Sequence, residues 1–419
     1  MKKLLLVFLI TLALIGAVDA LNPLEKVRDV LSDHEIEVIN GEPEPKLVEI
    51  IPFKNILEKV EEGKKLLADS PLLSVVERGI KKKEIAIAIL DTKTGEVFER
   101  RYWIENQDIQ RANELRTNTC GKEDHFPYLI PVKDDPVFFV IVNWWNSYNS
   151  NLSIVDSSCG EEGRYLVVAN KTLISNERLV YPQDRTGKKY SDIVYSPYSE
   201  QLHREEIIQE GFNFLNEKVA KAFSGLEALN IKSRAIPGKM VTETTTPVFV
   251  KNLFINEQSD PGSMLNSDDG GRRIAERVLI RLGLNKDLAF RYTYSSVGAL
   301  GLGQIMPQTY KNIVHDYPEA SLIKDAGIGR ADVLNAIKAS ILVLDDHFAS
   351  VVKKANQSNQ GRKMLSRKTD KEVEDIRAAI YNGGPGKYQS LTGNISLAIS
   401  ETVSFLMKLR LIQELHLFD

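Results

Sequence analysis

Apolar residues change their spacing several times along this chain, and each change marks a structural unit. An apolar run occupies residues 4–17, behind Lys2 and Lys3 and ahead of Val18, Asp19 and Ala20. In residues 21–80 the spacing becomes roughly helical, with Leu57, Val60, Leu66 and Leu67 separated by Lys and Glu, while Pro43, Pro45 and Pro52 interrupt the earlier part. From residue 84 the pattern turns strand-like. Residues 84–90 read as one strand, 91–96 as a turn and 97–104 as the returning strand, with further strands at 136–143 and 165–169. We therefore expect a small β-rich domain over 81–182. Residues 183–197 are polar and rich in turn formers, which predicts a linker, and 199–232 return to helical spacing; together they make a connecting region over 183–240. Pro237 and Gly238 break the chain again, and from Thr242 onward the pattern is helix after helix. The fold class expected is α+β, with an all-helical domain over 241–419 preceded by the β-rich domain and a helical N-terminal region.

Composition narrows the picture only a little. With 43% hydrophobic and 26% charged residues, a chain of 419 residues can bury a core in each of two or three domains. A formal net charge of -3 with both signs interspersed gives no electrostatic footprint for nucleic acid. The N-terminal run has the order of a secretory signal: basic residues, an apolar stretch, then small residues at the cleavage positions. It is short for a membrane span, which takes about 20 residues. Cleavage after Ala20 is expected, and with it export to a periplasm, the cell envelope or the medium; a loose association with membrane or envelope is compatible. An uncleaved N-terminal anchor is the alternative. The two cysteines, Cys120 and Cys159, would form one bridge in such a compartment, or stay as buried thiols. The six histidines show no metal-ligand spacing, so neither a metal nor another cofactor is expected.

Candidate chemistry concentrates in the helical part. Thr246 is a good N-cap and Pro247 suits the first helical position. Val250, Leu253, Phe254 and Glu257 then recur on one face of the helix, so a lone carboxylate lies in line with an apolar stripe. Pro261 and Gly262 end the helix within about a turn of it. Burial and the negative end of the helix dipole both disfavour a carboxylate, so Glu257 is expected to hold its proton more tightly than usual. Such a group is suited to general-acid catalysis; the plain alternative is a Glu at a fraying end, pointing into water. Two glycine-rich segments follow, residues 295–307 (Ser-Ser-Val-Gly-Ala-Leu-Gly-Leu-Gly-Gln-Ile-Met-Pro) and 379–386 (Ala-Ile-Tyr-Asn-Gly-Gly-Pro-Gly). Between them residues 335–340 (Asn-Ala-Ile-Lys-Ala-Ser) open a helical stretch, and Glu401-Thr402 head the last one. In the β-rich part, Trp144, Trp145 and Tyr148 could stack on sugar rings or simply fill a sheet core.

These segments, in this order, resemble the signature of the lysozyme-like lytic transglycosylases, which cut bacterial peptidoglycan. The resemblance covers about residues 245–412 and implies a lysozyme-like helical domain with Glu257 as its catalytic acid. It implies glycan strands as the partner, with Gln304, Tyr381, Asn382, Ser296, Gly298 and Met306 as substrate-binding positions. It further implies cleavage of the β-1,4 bond between N-acetylmuramic acid and N-acetylglucosamine by a single Glu, leaving 1,6-anhydro-muramoyl ends. A goose-type lysozyme, which would add a carboxylate such as Asp260, Asp268 or Asp269 to place water, and a non-catalytic glycan-binding protein on the same scaffold are the rival readings.

The chain departs from the family pattern in two ways. The stretch between Glu257 and Gly298 is much longer than usual and calls for an inserted helix, for which residues 272–282 are suitable. Gln258 follows the Glu where Ser or Thr is usual. An ungapped match would put Lys286 at the catalytic position, which cannot serve as the acid. Glu276 is a second candidate acid, but it falls off its helix's apolar face beside Arg272 and Arg273, the setting of a solvated ion pair.

Overall fold

The computed structural model describes residues 55–69, 71–72, 74–77, 80–105, 130–131, 138–144, 151–156, 164–173, 192–387 and 400–418. The signal-like segment 1–20, the cysteines Cys120 and Cys159, and Trp145 and Tyr148 lie outside the described residues. The architecture is α+β.

Helix α1 (Ile56–Ala68) is capped by Asn55, whose side chain accepts from the Glu58 amide at 3.3 Å. Its buried stripe is Ile56, Val60, Gly63 and Leu67, whereas Leu66 is 40% exposed. The stripe is thus rotated from the one read in the sequence. Gly63 decides the rotation: a Cβ there would come within 2.7 Å of the Val168 side chain, so only glycine lets the helix lie flat on the sheet.

The strands are β1 (Ser74–Glu77), β2 (Ile80–Asp91), β3 (Val97–Glu105), β4 (Ile130–Pro131), β5 (Phe138–Trp144), β6 (Asn151–Asp156), β7 (Tyr165–Leu173) and β8 (Asp192–Tyr195). An antiparallel sheet runs in the order β4-β3-β2-β7-β8, with β1 also paired to β2, and β5 and β6 form a separate two-stranded ladder. The β2–β3 turn falls where the sequence predicts it. At the centre of the sheet Ile85 to Leu90 are all buried, so β2 is covered on both faces and reads as a continuous apolar run. Two sequence expectations change here. Residues 74–77 and Ile80 are strand, not helix, and the polar stretch read as a linker contains β8, which pairs along β7 from Asn170 to Leu173. Strand β8 is too short to show a period among polar neighbours.

The remaining helices are α2 (Glu205–Ala228), α3 (Pro247–Gln258), α4 (Pro261–Leu265), α5 (Arg272–Asn285), α6 (Pro307–Asp316), α7 (Ala326–Ala331), α8 (Val333–Ala355), α9 (Asn359–Leu365), α10 (Asp370–Gly383) and α11 (Ser400–Glu414). Helix α8 runs through their centre, with Ala336, Ile337, Ala339, Ile341, Leu342, Val343 and Leu344 almost fully buried. The inserted helix α5 lies against α2 at backbone distance. A Cβ on Gly211 would fall 1.9 Å from the Leu279 carbonyl oxygen, and one on Gly283 would fall 2.5 Å from that of Ile207.

Helices α2 and α5 belong to both cores. Ala275, Val278, Leu279 and Leu282 face the helical core, while Ile207, Ile280 and Leu284 pack with the sheet residues Ala86, Ala88, Leu166 and Val168. Asn285 adds a two-way polar tie, accepting from the Ser196 amide at 2.8 Å and donating to the Ser196 carbonyl at 2.9 Å. The sheet and the helical unit therefore share one continuous wall.

Candidate functional site

Helix α3 begins as its sequence dictates, with Thr246 accepting from the Phe249 amide at 3.1 Å and Pro247 in the first turn. Every residue from Phe249 to Asn256 is then buried, so the helix threads the core rather than presenting one apolar stripe to it. Glu257 and Gln258 are the first side chains after that passage to regain partial exposure. A helix that emerges from a core at its C-terminal turn can hold a carboxyl that is crowded by protein yet keeps an open edge. Burial pushes the Glu257 carboxyl up to about 8, Lys408 pulls it down, and the negative charge of Glu401 adds a smaller upward push. Glu257 has no hydrogen bond or ion pair to another described residue, so burial is opposed only through space.

The neighbours of Glu257 are fixed in place. Asn256 donates to the Phe405 carbonyl of α11 at 3.2 Å, and Lys408 of α11 donates to the Ser259 carbonyl at 2.6 Å. Gln258 donates from its amide to the Gly301 and Leu302 carbonyls at 3.0 and 2.8 Å. The residue that departs from the family pattern is thus the one that ties the α3 end to the first glycine-rich segment. A Ser or Thr is too short to reach two carbonyls in this way.

That segment is a tight, internally bonded loop. Gly301 has φ +77, and a Cβ there would fall 2.0 Å from the Arg330 carbonyl oxygen, so both conformation and space demand glycine. The side chain of Arg330, 2% exposed, reaches through the loop to the Gly298 and Ile305 carbonyls at 2.7 and 2.8 Å and to its own helix at Ala326. Gln304, at φ 44, donates to the Gly301 carbonyl at 2.8 Å and to that of Thr293 at 3.3 Å. Its amide protons therefore serve the loop itself, leaving its carbonyl oxygen as the part able to meet a ligand.

Helix α10 closes the other side. The Tyr381 hydroxyl donates to the Gly303 carbonyl at 2.6 Å and lies 2.9 Å from the Ser340 hydroxyl. With the phenol proton directed at Gly303, Ser340 is the donor to Tyr381. Burial holds the phenol well above its ordinary range, and the charge of Glu257 raises it further, so the two groups lie within electrostatic reach of one another. Asn382 accepts from Thr402 at 3.0 Å, which joins the second glycine-rich segment to the head of α11. The helix ends on Asn382-Gly383 and is capped by Gly384, φ +76.

The loop also has an outward rim. Ser296 is exposed, and Tyr294, Val297 and Met306 are 47%, 72% and 39% exposed. Gly298 is buried beneath them at φ +98. The sequence-predicted positions thus separate into an inner group (Glu257, Gln304, Tyr381, Asn382, Gly298) and a rim (Ser296, Met306).

Other candidates lie elsewhere. Glu276 is partly buried and bonds to His203 at 2.9 Å, with Arg272 at 3.9 Å, while Arg273 is taken by Glu200. The ion pair expected with Arg272 is present, and Glu276 is in addition tied to His203. Lys286 pairs with Glu210. Asp260 caps α4 through the Ser263 amide at 2.7 Å, and Asp269 caps α5 through the Gly271 and Arg273 amides, both at 2.9 Å. Sequence reasoning missed Lys408, Arg330 and Ser340. The signal for Arg330 and Lys408 is faint: a cation inside an otherwise apolar helical stripe.

Comparison with protein-family models, with curated proteins and with solved structures found no match.

Proposed function

We propose that this chain is an exported peptidoglycan lytic transglycosylase with a lysozyme-like helical domain and Glu257 as its one catalytic carboxyl. The observation that carries this reading is the meeting of three parts: an acid whose proton is held by burial, a glycine-rich loop bonded to the end of its helix through Gln258, and Tyr381 bonded to that same loop at Gly303.

In this reading a glycan strand lies over the loop rim. Glu257 donates its proton to the glycosidic oxygen as the bond from that oxygen to the muramoyl C1 breaks, and the substrate's N-acetyl group assists at C1. The carboxylate left behind then takes the proton of the muramoyl 6-hydroxyl, whose oxygen closes on C1. No water is consumed, and the acid returns to its starting state. A group that acts first as acid and then as base works best with a pKa near the working pH, which is where burial puts Glu257. The Tyr381 hydroxyl, pinned between Gly303 and Ser340, holds the loop in place.

Hydrolysis would need a second carboxylate to hold water. Asp269 spends both carboxyl oxygens and Asp260 one of its two on helix N-termini, while Asp268 is exposed; two of the three candidates for holding water are thus engaged as caps, which favours the one-carboxylate scheme. The test is digestion of purified peptidoglycan followed by mass spectrometry of the fragments. Anhydro-muramoyl ends from the wild type, absent with Glu257→Gln, are expected. Reducing ends would make the protein a hydrolase, and glycan binding without turnover would make it a binding protein. Either result overturns the reading.

A further inference from the structure

Lys408 lies inside the molecule at 3% exposure. An ammonium is rarely so deeply placed unless a charge compensates it. Its one hydrogen bond among the described residues goes to the Ser259 carbonyl, at 2.6 Å, and no carboxylate forms a direct ion pair with it. A staple on that carbonyl does not require a charge. Three residues earlier Asn256 performs the same service on the Phe405 carbonyl with a neutral amide. The ammonium also lies 5.9 Å from the centre of the Phe405 ring, a cation–π contact at the outer limit of its range, so most of the cost of burying the charge still calls for an explanation.

We propose that Lys408 is the positioning residue of Glu257, holding its ammonium against the C-terminal end of α3 so that the carboxylate formed there is tolerated. Its place suits the task. Ser259 is the C-cap of α3, so the ammonium sits at the negative end of the helix dipole. The groups facing this pair come from each element around it. Glu401 on α11 and Tyr381 on α10 act against the Glu257 carboxylate, and Asp260 in the turn after α3 favours the ammonium. Burial lowers Lys408, and the Glu257 charge counteracts this, so each group stabilises the charged form of the other.

This inference rests on the reaction proposed above. Once Glu257 has given its proton to the leaving oxygen, an anion stands where burial opposes one. Lys408 transfers no proton; its charge lowers the energy of that interval until the substrate hydroxyl returns a proton to Glu257.

Three variants separate charge from staple. Lys408→Gln retains a donor for Ser259 without the charge, Lys408→Met retains neither, and Lys408→Arg retains the charge. We expect the Glu257 carboxyl, followed by carbon-13 NMR and assigned with Glu257→Gln, to titrate about one unit higher in the Gln and Met variants and near the wild-type value in Lys408→Arg. In both neutral variants kcat on peptidoglycan should fall about 10- to 100-fold with KM little changed. An unchanged Glu257 titration in folded Lys408→Gln would overturn the proposal. Should the Lys408 variants fail to fold, the lysine is observed instead, through its side-chain nitrogen in wild type and in Glu257→Gln. The proposal requires it to titrate lower in Glu257→Gln, and equal values overturn it. Linked titrations in a protein that does not cleave peptidoglycan would defeat the reaction and leave the pair; independent titrations in an active enzyme would defeat the pair alone.

Discussion

The Tyr381 hydroxyl donates a 2.6 Å hydrogen bond to the carbonyl of Gly303, and the same hydroxyl lies 2.9 Å from Ser340. Space dictates this arrangement as much as bonding. A Cβ on residue 303 would come 2.5 Å from the Ser340 oxygen and 3.0 Å from the Tyr381 oxygen. One glycine therefore lets the loop, α8 and α10 meet at a single point.

Tyr381→Phe should separate positioning from bulk. It keeps the ring and removes the hydroxyl, leaving the Gly303 carbonyl and the Ser340 hydroxyl short of a partner. The expected cost is about 1–3 kcal/mol in urea unfolding, with a larger proportional loss in peptidoglycan turnover. Because Ser340 is in the same network, Ser340→Ala added to Tyr381→Phe should cost little more, a non-additivity readable in a double-mutant cycle. Strict additivity would show that the two hydroxyls act independently.

Arg330 gives a sharper result. It is buried and holds the Gly298 and Ile305 carbonyls with one nitrogen and the Ala326 carbonyl with another. Lysine is a point donor without the planar fork. Arg330→Lys should therefore fail to replace it, losing about 2–4 kcal/mol in thermal or urea unfolding. A wild-type midpoint for Arg330→Lys would mean that the guanidinium geometry is not what fixes the loop.

Much of this site is legible in the sequence, and the reasons are local. Thr246-Pro247 announces a helix start, Pro261-Gly262 announces its end to within a turn, and the two glycine-rich segments mark where the backbone turns tightly. What the sequence conceals is the set of partners distant in the chain. Nothing near Gln258 in the chain says that its amide will meet residues 301 and 302, and nothing near Lys408 says that it will face the end of α3. The rotation of α1 is hidden for the same reason. Leu66 and Gly63 are placed by the shape of the sheet, and a local period cannot report that shape.

The wall shared by sheet and helices yields a test by contrast. Gly211→Ala aims a methyl at the Leu279 carbonyl, a backbone atom that no rotamer change can move. Helices α2 and α5 would have to separate, opening both cores at once. We expect a loss of about 3 kcal/mol or more, at the upper end for overpacking. Gly386→Ala, where a Cβ meets nothing within 4 Å, should change stability by less than about 0.5 kcal/mol. Equal effects in urea unfolding would show that α2 and α5 do not touch at their backbones.

The raised carboxyl of Glu257 has a thermodynamic consequence with a definite sign. Its ordinary value is 4.5, and burial raises it to about 8 in the folded protein. Between those limits the folded state holds the proton and the unfolded state has lost it, so the folded state binds more protons. Unfolding free energy must then fall as pH rises through this window. The penalty is absent below the unfolded value and fully present above the folded one. Lys408 behaves oppositely and later: its folded value is lowered from 10.5, so its penalty is present at neutral pH and is relieved as pH rises towards that ordinary value. Glu257→Gln removes the first effect and, because the Glu257 charge no longer supports the ammonium, lowers Lys408 further. The variant should match the wild type near pH 4.5 and gain on it steadily, by about 1–3 kcal/mol at pH 8, after discount for the partial exposure of the side chain and for Lys408. Urea midpoints measured at intervals from pH 4.5 to 8.5 would trace that gap. A gap independent of pH would mean that Glu257 ionises as it does in water, and an acid of that kind could not protonate a glycosidic oxygen near neutrality.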